Sequence, residues 1–150
     1  MDPVSSGKVA GTTGRGLNLE ALKISLEVDG ATSQEQIANA ISVEAHVSNV
    51  GWQAAVGNGG TAGTTGQSRA VEALRVRLSG ELSARYTVWY RVHSAEFGWL
   101  GWACDGADAG SAGYGVSVNV FFTIFTNAFS PIAPTRMRQI RQRGCTAFGA

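Results

Sequence analysis

The feature that most constrains this chain is a segment that returns at a fixed spacing. Ala62-Gly-Thr-Thr-Gly66 has an earlier copy in Ala10-Gly-Thr-Thr-Gly14 and a weaker one in Ala109-Gly-Ser-Ala-Gly113, at offsets of 52 and 47 residues. The offset of 47 also relates His46 to His93, Gly51-Trp52 to Gly98-Trp99, and Asn58-Gly59 to Asp105-Gly106. Four separate features at one offset make a repeat. A repeat of this length does not bury its own apolar face, so its neighbours must cover it. The repeat domain spans residues 1–126, with a partial copy at 7–27, a complete copy at 38–79 and a divergent copy at 85–126. A basic tail occupies 127–150.

The complete copy reads as strands. Ile41, Val43, Ala45 and Val47 alternate with Ser42, Glu44, His46 and Ser48, the period of a half-buried strand. Trp52 to Val56 predicts a second strand, and Val71 to Leu78 a third, with Leu74, Val76 and Leu78 on one face and Arg75 and Arg77 on the other. Asn58-Gly59 and Asp105-Gly106 carry the signal of a type I′ hairpin turn, in which both central residues need φ > 0. In the divergent copy Tyr86 to His93 is one β-rich run, followed by Gly98-Trp99-Leu100-Gly101-Trp102. Residues 28–40 read as a polar loop with one helical turn available at 33–36. In the tail, Pro131 and Pro134 break regular structure. Arg136 to Arg143 reads as a disordered end, with a short basic helix as the alternative. The fold class is therefore all-β: tandem repeats of three to four short strands, with a pseudo-threefold β-prism or β-trefoil-like arrangement as the expected closure.

Composition narrows the function classes. Apolar residues make up 44% and charged residues 15% of 150 residues, the opposite of a disordered chain. Twenty glycines among short β-branched runs supply turns. The net charge of +1 gives no global case for nucleic acid. Four of the 12 basic residues, Arg136, Arg138, Arg141 and Arg143, lie in the tail, and all 11 acidic residues precede it. Val116 to Phe125 is too short and interrupted for a transmembrane segment. Met1 to Ser6 has neither the basic end nor the apolar run of a signal peptide. Cys104 and Cys145 read as free thiols, with a Cys104–Cys145 bridge as the alternative.

His46-Val-Ser-Asn-Val-Gly-Trp-Gln53, Ala62 to Ser68 and Val71-Glu-Ala-Leu74 together resemble the ChW repeat family, the clostridial hydrophobic repeats with a tryptophan. The resemblance covers roughly residues 7 to 120. It implies a secreted or cell-surface protein of Gram-positive bacteria, with repeats that attach to the surface or bind polysaccharide or other surface polymers. The partial first copy lacks the half that carries His and Gly-Trp, as in a fragment of a longer protein or a unit completed by other strands. The aromatic at Trp102 faces Ala55 in the complete copy, and Asn119-Val120-Phe121 replace Glu-Ala-Leu.

The residues that could touch a ligand are Trp102, Trp99, Trp52, His46, His93, Asn49, Asn58 and Asp105. An indole can stack on the C–H face of a sugar, and amide or carboxylate groups in turns can hold its hydroxyls. Matched positions beside a preceding strand favour core places for Trp52 and Trp99. Trp102, unmatched, is open to an exposed one. His46 and His93 are matched to each other and read first as structural imidazoles. Glu20 and Glu72 are also matched. They read as acceptors for backbone N–H groups of the preceding turn rather than as a glycosidase acid–base pair. The Gly-rich segment lacks the Lys of a phosphate loop, and no metal-ligand spacing or nucleophile motif appears. The chain reads as a non-enzyme without cofactor or metal. Its expected partner is a surface polysaccharide or cell-wall polymer, or else another protein, with no nucleic acid. The other readings are a structural or protein-interaction module and an accessory domain of a secreted hydrolase.

Overall fold

The computed structural model describes residues 15, 17–26 and 37–119, and the backbone of a strand at 125–128. Its elements run β1 (Ala21–Lys23), β2 (Ile41–Val47), β3 (Gly51–Trp52), β4 (Thr61–Gly63), β5 (Val71–Leu78), helix α1 (Gly80–Arg85), β6 (Tyr86–Tyr90), β7 (His93–Ser94), β8 (Gly98–Trp99), β9 (Ala103–Cys104), β10 (Ala109–Gly110), β11 (Val118–Asn119) and β12 (Phe125–Ala128). The described residues are all-β apart from one short helix after β5 and a helical residue pair at 37–38. Among the described residues four antiparallel sheets have the strand orders β1-β4, β10-β5-β2-β3, β11-β7-β8 and β12-β6-β9.

The alternation at 41–47 does what its period requires: Ile41, Val43, Ala45 and Val47 are buried, and Ser42, Glu44 and His46 are half-buried. Its partner β5 is more enclosed than alternation predicts. Val71, Glu72, Ala73 and Leu74 are all buried, and only from Arg75 onward does one face open. The following copy covers the second face there: Gly110 lies against Ala73, and the Gly113 N–H bonds the Glu72 carboxylate. The core joins Ile41, Val43, Val47, Val71 and Leu74 to Val88, Tyr90, Val92 and Val118. Each buried Val, Leu or Ile side chain among them contributes about 1.5–3 kcal/mol.

The sequence offset of 47 is also an offset in strand pairing. His46 pairs with Trp52 as His93 pairs with Trp99. Val47 pairs with Val71 as Ser94 pairs with Val118. The bridge of Val43 to Val56 returns as Tyr90 to Ala103.

Neighbouring copies are interleaved. Leu22 of the first copy pairs with Ala62 of the second, and Leu74 of the second with Ala109 of the third, in the same register. Each junction is closed by a glycine with positive φ. A Cβ at Gly63 would lie 2.3 Å from the Glu20 carbonyl oxygen, and one at Gly110 would lie 2.3 Å from that of Glu72. Only glycine allows the two backbones so close.

Several expectations are revised. The run Tyr86 to His93 breaks at Arg91-Val92 into β6 and β7, which belong to different sheets. The expected strand from Trp52 to Val56 is a two-residue strand and a single bridge. At Asn58-Gly59 only Gly59 has positive φ, as in a type II turn, and Gly60 N–H closes it on the Gly57 carbonyl. Asp105 and Gly106 both have positive φ, at 45° and 91°, so the type I′ form holds in the third copy alone. Cys104 is disulfide-bonded, which overturns the expectation of a free thiol there. Cys145, the helical turn at 33–36 and the basic segment 136–143 lie outside the described residues.

Candidate functional site

The cross-strand pair His46–Trp52 sets up the first cluster. Opposite residues on so short a hairpin bring their rings together, and the two meet edge to face with centroids 5.3 Å apart. Arg75, on the other side of β2, reaches over the indole with its guanidinium carbon 3.8 Å from the ring centroid. Arg75 is fixed in turn by Asp108, with Nε to Oδ1 at 2.5 Å, and by Glu44, with Nη1 to Oε2 at 3.7 Å. Asp108, foremost, raises the pKa of Arg75 above its ordinary value, so the cation over Trp52 is permanent. Trp52 itself is half-buried.

The third copy builds the same motif from other residues. His93 and Trp99 meet edge to face at 5.3 Å. Here the cation is Arg91, at the position matched to Glu44. It lies 4.3 Å from the Trp99 ring centroid and 4.7 Å from that of Trp102. One guanidinium therefore serves two indoles, a cation–π arrangement in which each ring steadies the other through it. The core place expected for Trp99 is not observed: the side chain is 38% exposed. It stands on β8, the edge strand of its sheet. Trp102 is half-buried.

Glu72 is nearly sealed, at 3% exposure, and has two partners on one oxygen. Its Oε2 accepts the Gly113 N–H at 3.2 Å and lies 3.0 Å from His46 Nδ1, an ion-pair distance without the angle of a directed hydrogen bond. Glu20 Oε2 likewise accepts the Gly66 N–H at 3.1 Å. The acceptor role expected of the two glutamates holds, but the donor is the turn of the following copy, not the preceding one. Thr64 N–H to the Glu20 carbonyl and Ser111 N–H to the Glu72 carbonyl complete the two staples at 2.9 and 2.8 Å. Sequence reasoning missed Arg75 and Arg91 altogether. It also placed Glu72 with its own turn, because strand exchange between copies leaves no local trace.

The remaining candidates do not join either cluster. Asn58 Oδ1 accepts the Leu26 N–H at 2.6 Å, and its Nδ2 donates to the Leu26 carbonyl at 3.2 Å. Asp105 Oδ1 accepts the Val88 N–H at 3.2 Å. Both side chains are committed to backbone. Asn49 sits in the β2–β3 turn with φ of 61° and lines a polar cleft of about 240 Å³ with Asn18, Ser48, Ser68, Arg69, Ala70, Glu72, Gly115 and Ser117. Asn18, Ala70 and Ser117 are matched positions of the three copies, so the cleft lies where the copies converge. Among the described residues no group of three or more His, Cys, Asp or Glu could hold a metal ion, and no helix is long and apolar enough to cross a membrane.

A family model described as Clostridial hydrophobic W (ChW) matches residues 1–27 and 46–80. The second match starts at His46 of the first cluster and runs through β5. No curated protein and no solved structure matches the chain.

Proposed function

We propose that this chain, residues 1–27 and 46–80 of which match the ChW family model, is a non-catalytic binding module of the bacterial cell surface or its exterior, with a surface glycan or cell-wall polymer as ligand. The observation that carries the reading is the pair of His–Trp–Arg clusters, with Trp99 exposed and Trp52 half-buried. In each, an edge-on imidazole and a guanidinium fix the ring, so little side-chain freedom is lost when a sugar stacks on it. The guanidinium lies over one face of the ring, so a sugar stacks on the opposite face. Trp102 widens the surface in the third copy. Each contact is weak alone, and several on one polymer add by avidity. The convergence of Asn18, Ala70 and Ser117 on one cleft supports a pseudo-threefold, β-prism or β-trefoil-like closure of the copies.

A second reading, a protein-interaction module, is favoured by Val50 and Phe97. These matched apolar residues stand at the tips of the β2–β3 and β7–β8 turns, 51% and 64% exposed. The two are separated by retention of the folded chain on insoluble wall and plant polysaccharides, with a glycan array alongside. We expect retention that a soluble fragment of the same polymer competes away. A folded chain that binds none of them contradicts the glycan reading.

A further inference from the structure

The two indole clusters differ in what surrounds the cation. In the middle copy Arg75 has two counter-charges, Asp108 at 2.5 Å and Glu44 at 3.7 Å, and Glu72 lies 3.0 Å from His46. At the offset of 47, Glu44 becomes Arg91 and Glu72 becomes Asn119, which stands opposite His93 in the β11–β7 pair. The third cluster has therefore exchanged two carboxylates for a cation and an amide. Among the described residues Arg91 has no ion pair and no hydrogen bond, and its buried Nε lacks an acceptor. Glu96, the acidic residue nearest to it along the chain, is exposed in the β7–β8 turn and makes no ion pair with it. The guanidinium is held by two π faces instead, Trp99 at 4.3 Å and Trp102 at 4.7 Å. Arg91 is half-buried and stands beside the exposed Trp99. A cation partly withdrawn from water without a counter-charge is costly, and an anion that reaches it relieves that cost.

We propose that the third-copy cluster is a subsite for an acidic unit of the polymer, with Arg91 as the residue that selects for charge, while the middle-copy cluster takes neutral units. The inference deepens the glycan reading of the same indoles and rests on it. A unit stacks on the free face of an indole, and an anionic group that reaches past the ring edge accepts the guanidinium N–H groups. The carboxylate of a uronic acid and the phosphodiester of a polyol phosphate offer the same chemistry here: anionic oxygens that a planar guanidinium binds in pairs. Around Trp52 the same anion would meet Glu44 and Asp108, whose like charge repels it. The specificity thus follows from one substitution between copies, Glu44 against Arg91, at positions that the repeat otherwise treats alike.

The test is affinity electrophoresis of the full chain in gels that hold polygalacturonate, its fully methyl-esterified form, or poly(glycerol phosphate). The first two share one sugar and differ in charge, and the third tells phosphodiester from carboxylate. We expect an acidic polymer to be bound about tenfold more tightly than the ester, a preference that fades as salt rises. Arg91→Met should remove that preference, about tenfold, the scale of one charge-assisted hydrogen bond, and change binding of the ester far less. Arg91→Lys keeps the charge and should keep most of the preference. Arg85→Ala, at the opposite end of β6, should leave it unchanged. Equal binding of acidic and esterified polymer by the wild-type chain would overturn the proposal while sustaining the glycan reading. So would an equal loss on both polymers in Arg91→Met, which would make Arg91 only a support for the indoles. A folded chain that binds none of the three would contradict the proposal and the glycan reading together.

Discussion

The middle and third copies place a cation over an indole in the same geometry but from different strands. In the middle copy the cation is Arg75 on β5, and Glu44 on β2 helps to hold it. In the third copy Arg91 takes the position matched to Glu44 and does the work itself, for two rings. What recurs is the arrangement, not the residue. The supports differ too. The middle copy has a continuous eight-residue β5 with Glu72 sealed beneath His46. The third copy splits the strand that matches β2 into β6 and β7. The middle copy is thus the anchored half of the molecule and the third the more open one.

The sharpest way to break this picture is at the junctions. Gly110→Ala should cost about 3 kcal/mol or more, because the new Cβ meets backbone at 2.3 Å and φ is 134°. Gly113→Ala, with nothing within 4 Å, should cost only about 1 kcal/mol. Equal midpoints for the two in urea unfolding would mean that the copies are not interleaved as described.

The staples come next. Glu72→Ala removes a sealed acceptor from the Gly113 N–H and from His46, and should cost about 2–4 kcal/mol. Glu20→Ala removes an acceptor from an exposed turn and should cost about 1 kcal/mol or less. Urea unfolding of the pair would show whether the second junction is indeed the stronger.

Tyr90 adds a pH dependence that belongs to the third copy. Its hydroxyl donates to the Ala107 carbonyl, and burial pushes its pKa up from 10.0 to about 12. The folded chain therefore holds this proton after the unfolded chain has lost it. Stability is fully present below pH 10 and falls as pH rises toward 12, by about 2–3 kcal/mol. Tyr90→Phe should flatten that limb of a stability–pH curve, and an unchanged slope would remove Tyr90 from the explanation.

The smallest effects separate the two cations. Arg91→Ala strips two indoles of their shared partner and should cost about 1–2 kcal/mol. Arg75→Ala loses one cation–π contact and exposed ion pairs and should cost under about 1 kcal/mol. Thermal unfolding of both variants would test that order.

Much of the fold was legible in the sequence. The period of two at 41–47 is a local pattern set by burial of one face, and the offset of 47 survives as strand register. The junctions were not legible, since Leu22 and Ala62, or Leu74 and Ala109, are far apart in the chain. The site was legible only as its aromatic half. His and Trp are brought together by a tight hairpin, which a sequence displays. Arg75 arrives from across the sheet and Arg91 from a break between strands, which it does not. The exposure of Trp99 also escaped, because a Gly-Trp pair reads alike at a sheet edge and under a covering layer.

The most direct measurement is retention on an insoluble polysaccharide that binds the wild-type chain, comparing Trp52→Ala, Trp99→Ala and the double variant Trp99→Ala/Trp102→Ala, each first shown to be folded. We expect each single change to weaken retention and the double change to weaken it most, by about tenfold or more, since a stacked aromatic contributes on the order of 1–3 kcal/mol at an interface. Full retention by the folded double variant would contradict the assignment of the indole clusters as the binding surface.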